Sequence, residues 1–150
     1  MSIHSYTRCW LHLIWGTLRR EKILTLPARF KLMNYFKKYA EEKNIYMKIV
    51  FVNPDHVHAL IDLPTGLSIE EVMQLFKGSS SHWVNQNDII GCKFAWGRGY
   101  GAFSVSDSDI DRLCFYIANQ EEHHRKKSFR DEYIEFIIRY GLDIKNFIDD

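Results

Sequence analysis

A chain of 150 residues, 46% hydrophobic and 26% charged, is long enough to bury a core and has the make-up of a folded domain rather than a disordered or fibrous one. Its net charge of +1 excludes a uniformly basic nucleic-acid binder, so any basic surface is local. Three widely spaced cysteines (Cys9, Cys92, Cys114) without a CxxC pair argue against a disulfide framework and a cysteine zinc site, and fit a reducing compartment.

The first apolar run, CWLHLIWGTL (9–18), is aromatic and β-branched and reads as a strand. Pro27 suits a first helical turn, and Phe30, Met33 and Phe36 recur at helical spacing, which predicts an amphipathic helix ending near Asn44. IYMKIVFVN (45–53) is β-forming, Pro54 and Asp55 signal a turn, and HVHALIDLP (56–64) alternates, so the two segments read as a hairpin. Ser68 and Glu71 form a capping box for a helix with Ile69, Val72, Met73, Leu75 and Phe76 on one stripe, interrupted or ended by Gly78 and three serines.

KFAWGRGYGAFSVS (93–106) is aromatic, glycine-rich and contains strand material. A Ser/Asp cap then opens a helix whose apolar stripe is Ile110, Leu113, Cys114 and Ile117. Ser128 caps a last helix with Phe129, Tyr133, Phe136 and Ile137 inward and Gly141 as its stop. The order β–α–β–β–α–β–α–α predicts an α+β sandwich, an antiparallel or mixed sheet with helices on one face, forming one domain over residues 1–150. No run approaches the ~18 apolar residues of a membrane span, and the N-terminus lacks a signal-peptide pattern, so a cytoplasmic protein is expected.

Two segments carry chemistry. In PDHVHALI (54–61), strand alternation puts His56 and His58 on one face, about 6.6 Å apart at Cα, and Val57, Ala59 and Ile61 on the other. The pair is either two half-exposed residues of a solvated face or two ligands for one ion. In YIANQEEHHRKKSF (116–129), helical phase offsets Gln120 by about 40° and His123 by about −20° from Tyr116, with His124 displaced by about 80°. This is either a polar helix end or a tyrosine presented beside a ligand. A phenol is a sluggish nucleophile unless its target is polarised, which a divalent ion on a phosphate oxygen accomplishes. Two histidines and an amide oxygen leave positions open for water and phosphate and suit Mg²⁺ or Mn²⁺. Together they describe a tyrosine acting on a phosphodiester.

The chain resembles the single-tyrosine HUH transposases, the TnpA type of small bacterial insertion sequences, and their REP-associated relatives. PDHVHALI looks like the HUH motif, YIANQEEHH like the Tyr-x-x-x-Gln helix, and LHLIWGTLRR (11–20) like the opening strand. FKGSSS and FAWGRGYGAFSVS resemble the segments between the motifs, and the likeness runs from about residue 10 to about residue 140. The resemblance implies a ferredoxin-like sandwich with a C-terminal helix carrying the tyrosine. It also implies a bacterial or archaeal homodimer in which the tyrosine helix of one subunit can complete the site of the other.

The activity it implies is cutting and rejoining of hairpin-flanked single-stranded DNA through a 5′-phosphotyrosine, with Tyr116 as nucleophile and His56, His58 and Gln120 as metal ligands. The alternative is a REP-associated or domesticated relative that binds or nicks hairpin DNA without mobilising its own element. A closed zinc site is a third reading, which the lack of a third His or Cys at firm spacing disfavours. Where relatives carry a lysine after the first-strand tryptophan, Trp15 is followed by GTLRR, so Arg19 or Arg20 has to supply the charge. Lys77, Trp96, Arg98 and Tyr100 are further candidate DNA contacts, through phosphate neutralisation and base stacking. His123 and His124 are candidate supporting residues or alternative ligands. His12 reads as structural.

Overall fold

The computed structural model describes residues 4–144. Its elements are β1 (Trp10–Gly16), α1 (Leu26–Glu42), β2 (Tyr46–Val52), β3 (His56–Asp62), α2 (Ile69–Gln86), β4 (Gly101–Ser104), α3 (Ile110–Ala118), α4 (Gln120–His124) and α5 (Phe129–Arg139). The four strands form one sheet in the order β2-β3-β1-β4, antiparallel throughout.

β1 is a central strand buried on both faces, and its seven residues alternate between two cores. Leu11, Leu13 and Trp15 join Val57, Ala59 and Ile61 of β3 against Leu32 and Phe36 of α1 and Met73 and Phe76 of α2. Trp15 meets Phe36 edge-on, with ring centroids 5.4 Å apart. The opposite face carries Trp10, Ile14, His56, His58 and Leu60. Here Ile110 and Ile117 of α3 pack on Trp10 and Leu60, while Phe129 and Phe136 of α5 pack on Ile14 and Phe103. The expected α+β sandwich is present, with α1 and α2 on one face. The tyrosine-bearing C-terminal third covers the other, so the histidine face is a second interior rather than a solvated surface.

Two local expectations change and a third is sharpened. The helix after Ser68 keeps its capping box but runs on through Gly78 to Gln86. Ser80 and Ser81 return their hydroxyls to the carbonyls of Lys77 and Gly78 within the helix, and Val84 continues the buried stripe. The strand material expected in 93–106 is the strand Gly101–Ser104, together with an isolated antiparallel bridge from Trp96 to Thr17. The tyrosine helix is broken at Asn119 (φ −104°, ψ 29°), whose side-chain amide donates to the Phe115 carbonyl at 2.7 Å. No helix among the described residues is long and apolar enough to cross a membrane.

Candidate active site

β1 and β3 pair so that Gly16 faces His56 and Ile14 faces His58. The alternation of β3 turns both imidazoles to the face covered by α4 and α5, where they are fully buried. Their rings lie 5.1 Å apart. The break at Asn119 lets α4 turn, bringing His124 to the same point, and α5 lays Glu132 across it.

Each of the three imidazoles is pinned through Nδ1. His56 Nδ1 donates to Asp55 Oδ1 at 2.6 Å, and His124 Nδ1 donates to the Lys127 carbonyl at 2.7 Å. His58 Nδ1 lies 2.7 Å from His12 Nε2, on the neighbouring strand. The three Nε2 atoms then converge on a single atom, Glu132 Oε1, at 3.4 Å from His56, 3.0 Å from His58 and 3.3 Å from His124.

The second carboxylate oxygen, Oε2, accepts the Tyr116 hydroxyl and lies 3.2 Å from His123 Nε2 and 3.4 Å from Gln120 Nε2. The Tyr116 hydroxyl is also 3.1 Å from His123 Nε2. Gln120 is fully buried. Its Oε1 accepts from Asn53 Nδ2 at 3.2 Å and lies 2.9 Å from His124 Nε2. One chain therefore brings Tyr116, His56, His58 and Gln120 together.

Burial pushes the His58 imidazole down to about 4, despite the attraction of Glu132. Burial also opposes charge on His56, but its hydrogen bonds to Asp55 and Glu132 outweigh that and raise it. For Glu132, burial favours the neutral acid. Hydrogen bonds from His124, His56 and His58 reverse this and hold the carboxyl far below the usual range. Burial, and then the charge of Glu132, push the Tyr116 phenol well above its ordinary value.

The donor set fits a metal ion. His56, His58, His124 and Glu132 offer ligand atoms that lie within 4.8 Å of one another. With Nδ1 of His124 donating to a carbonyl, its Nε2 confronts two oxygens, Gln120 Oε1 and Glu132 Oε1. A cation at that point satisfies all three atoms. Two clefts open onto the centre. One, of about 280 Å³, is lined by Lys22, Arg29, Asn53, His124, Arg125 and Lys127. The other, of about 600 Å³, includes Tyr116, His123, Arg112, Lys127 and Arg139 in its walls.

The other expected residues divide. Arg20, Arg98 and Tyr100 line one small cleft with Phe129, whose ring stacks on His56 at 4.0 Å. Arg19 is exposed on the turn after β1, where both arginines have φ of 55°. Lys77 and Trp96 are engaged within the protein. The Lys77 ammonium donates to the Gly97 and Gly99 carbonyls at 2.8 Å each. Trp96 is buried, its indole nitrogen donating to Ser80 at 2.8 Å, so its ring packs in the core instead of awaiting a base.

Four contributors were not singled out from the sequence: Asn53, Asp55, Glu132 and, in a site role, His12. For Glu132 a signal existed, because it lies between Phe129 and Phe136 in the phase of the inward face of α5.

The family model "Transposase IS200 like" matches residues 5–120. The transposase of insertion sequence element IS200 from Salmonella typhimurium is 24% identical over 127 residues, 81% of this chain and 83% of that one. The ISDra2 transposase TnpA of Deinococcus radiodurans is 22% identical over 116 residues, 74% of this chain and 83% of that one. Among solved structures, a protein of Deinococcus radiodurans R1 described as a transposase superposes with a TM-score of 0.63, at 22% identity over 80% of this chain and 96% of that one. A REP-associated tyrosine transposase bound to a REP hairpin gives a TM-score of 0.58, at 18% identity over 83% of this chain and 74% of that one.

The chain belongs to the IS200-like transposase family. The family match ends at Gln120, so His123, His124 and Glu132 lie beyond it.

Proposed function

We propose that this transposase cuts and rejoins hairpin-flanked single-stranded DNA through a covalent 5′-phosphotyrosine at Tyr116. The observation that carries the reading is the hydroxyl of Tyr116 held by the same carboxylate on which His56 and His58 converge. In the cutting step the Tyr116 oxygen bonds to phosphorus, the bond from phosphorus to the 3′ oxygen breaks, and the phenolic proton ends on the released 3′-OH. Rejoining reverses the exchange, and the retained phosphoester makes ATP unnecessary.

A divalent ion, Mg²⁺ or Mn²⁺, held by His56 and His58 with Gln120 beside them, would polarise the phosphate and orient the leaving oxygen. Glu132 and His123 fix the direction of the Tyr116 hydroxyl. Asp55 and His12 fix the two metal-facing imidazoles. Arg19, Arg20, Arg98 and Tyr100 are the proposed contacts to the strand. Because Tyr116 meets the histidines of its own chain, the geometry supports a site complete within one subunit, whether or not the protein forms a dimer.

Incubation with single-stranded hairpin DNA and Mn²⁺ tests the reading: the wild type forms a covalent protein–DNA adduct and Tyr116→Phe forms none. An adduct of undiminished yield in Tyr116→Phe sinks the nucleophile assignment. The likeness to a relative bound to a REP hairpin favours a second reading, a REP-associated enzyme acting on dispersed hairpins. Imperfect palindromes at both ends of the coding region support self-mobilisation, and scattered similar repeats support the REP-associated branch.

A further inference from the structure

We infer that the metal centre of this chain is a three-histidine, one-carboxylate site, His56, His58, His124 and Glu132, and that it selects a transition ion such as Mn²⁺ over Mg²⁺. The inference rests on the phosphodiester reading above and specifies its metal.

The observation is the shared orientation of three rings. Each spends Nδ1 on a fixed partner: Asp55 for His56, His12 for His58 and the Lys127 carbonyl for His124. Each thereby presents Nε2, and the three nitrogens surround Glu132 Oε1 at 3.0–3.4 Å. Pinning one imidazole nitrogen so that the other meets the ion is the arrangement that sets ligand tautomer and direction. A buried carboxylate beside the rings supplies a negative charge that offsets half of a dication's.

Gln120 then supports the ligands. Its nitrogen donates to Glu132 Oε2, and its oxygen, accepting from Asn53 Nδ2, lies 2.9 Å from His124 Nε2 and within reach of the same ion. Glu132 ties the metal to the nucleophile, one oxygen at the histidines and the other on Tyr116. His124 lines the 280 Å³ cleft, which gives an ion a route to the cluster.

Ligand chemistry dictates the selectivity. Mg²⁺ prefers oxygen donors and keeps much of its water, whereas imidazole favours the first-row transition ions. Three nitrogens in four ligands therefore handicap Mg²⁺.

Calorimetric titration of the DNA-free protein with Mn²⁺ and separately with Mg²⁺ tests this independently of DNA cutting. The expected result is one Mn²⁺ per chain, bound about tenfold or more tighter than Mg²⁺. His124→Ala and Glu132→Gln each weaken Mn²⁺ binding by about tenfold or more. Equal affinity for the two ions, or unchanged Mn²⁺ affinity in both folded variants, overturns the assignment. Anomalous diffraction from wild-type crystals grown with Mn²⁺ needs no variant to fold. Manganese bonded to His124 and Glu132 supports the site, and manganese on His56 and His58 without those two refutes it. Failed adduct formation by a protein that binds Mn²⁺ in this way would count against the phosphodiester reading and leave the ligand set standing.

Discussion

His12 on β1 and His58 on β3 meet through their rings, Nε2 of the first 2.7 Å from Nδ1 of the second. The rings stack at 5.0 Å, and His12 is closed in on its far side by the edge of Phe136. Burial, then the proximity of His58, hold the His12 imidazole well below its ordinary pKa, so it works as a neutral hydrogen-bond partner. Its role is to fix which nitrogen of His58 faces the cluster.

His12→Leu removes that partner and leaves a buried ring nitrogen unsatisfied. The expected cost is about 1–3 kcal/mol of stability and a loss of about 10–100-fold in metal affinity. His12→Gln keeps a polar group and restores part of the affinity. Thermal melts and Mn²⁺ titrations check both. If His12→Leu binds Mn²⁺ like the wild type, His12 does not orient His58.

Gly16 controls the site through shape. It pairs with His56 across the sheet, and a Cβ there would lie 2.6 Å from Cε2 of Phe129. Phe129 is buried and stacked face to face on His56, so it has little room to yield. Gly16→Ala is expected to cost about 1–3 kcal/mol and to weaken metal binding by displacing the His56 ring. A crystal structure of the variant with Phe129 and His56 unmoved would refute this.

Arg98 and Trp96 are two residues apart in sequence but act on different quantities. Arg98 is exposed beside the cleft next to Phe129. Arg98→Ala is expected to weaken single-strand binding and to lower the salt slope by about 0.7 for one lost phosphate contact. Trp96 packs edge-on against Trp15 and Phe94, so Trp96→Ala is expected to cost about 3–5 kcal/mol in stability. Fluorescence anisotropy over a salt series separates the two. An Arg98→Ala slope equal to that of the wild type removes Arg98 from the interface.

The rings of Tyr116 and His58 lie 5.8 Å apart within one chain. Mixing Tyr116→Phe with His58→Ala protein is therefore expected to give no covalent adduct, since neither chain has a complete site. Adduct formation in the mixture, when each variant alone is inactive, would mean that one subunit's tyrosine serves the other's histidines.

The sequence made the histidine pair and the β2–β3 hairpin readable because the first depends on a period of two and the second on a short turn. Val57, Ala59 and Ile61 had to face one way, so His56 and His58 had to face the other. Gly78 misled because its break signal is local, while the stripe through Val84 and the hydroxyl bonds of Ser80 and Ser81 carry α2 onward. Helical phase assigned His123 to the tyrosine face, and its Nε2 does meet the hydroxyl. The same phase made His124 marginal, because a uniform 100° step takes no account of the break at Asn119. Glu132 was readable in part: it is an acidic residue in the phase of an apolar face, but nothing local says what that face covers.

The central claim is tested most directly by finding the atom that carries the DNA. Wild-type protein is incubated with Mn²⁺ and single-stranded hairpin DNA, the adduct is digested with nuclease and protease, and the modified peptide is sequenced by mass spectrometry. The nucleotide is expected on Tyr116, joined through its 5′ phosphate, with a free 3′-OH on the released strand. A nucleotide on any other residue, or cleavage with no protein-linked nucleotide, would contradict the account.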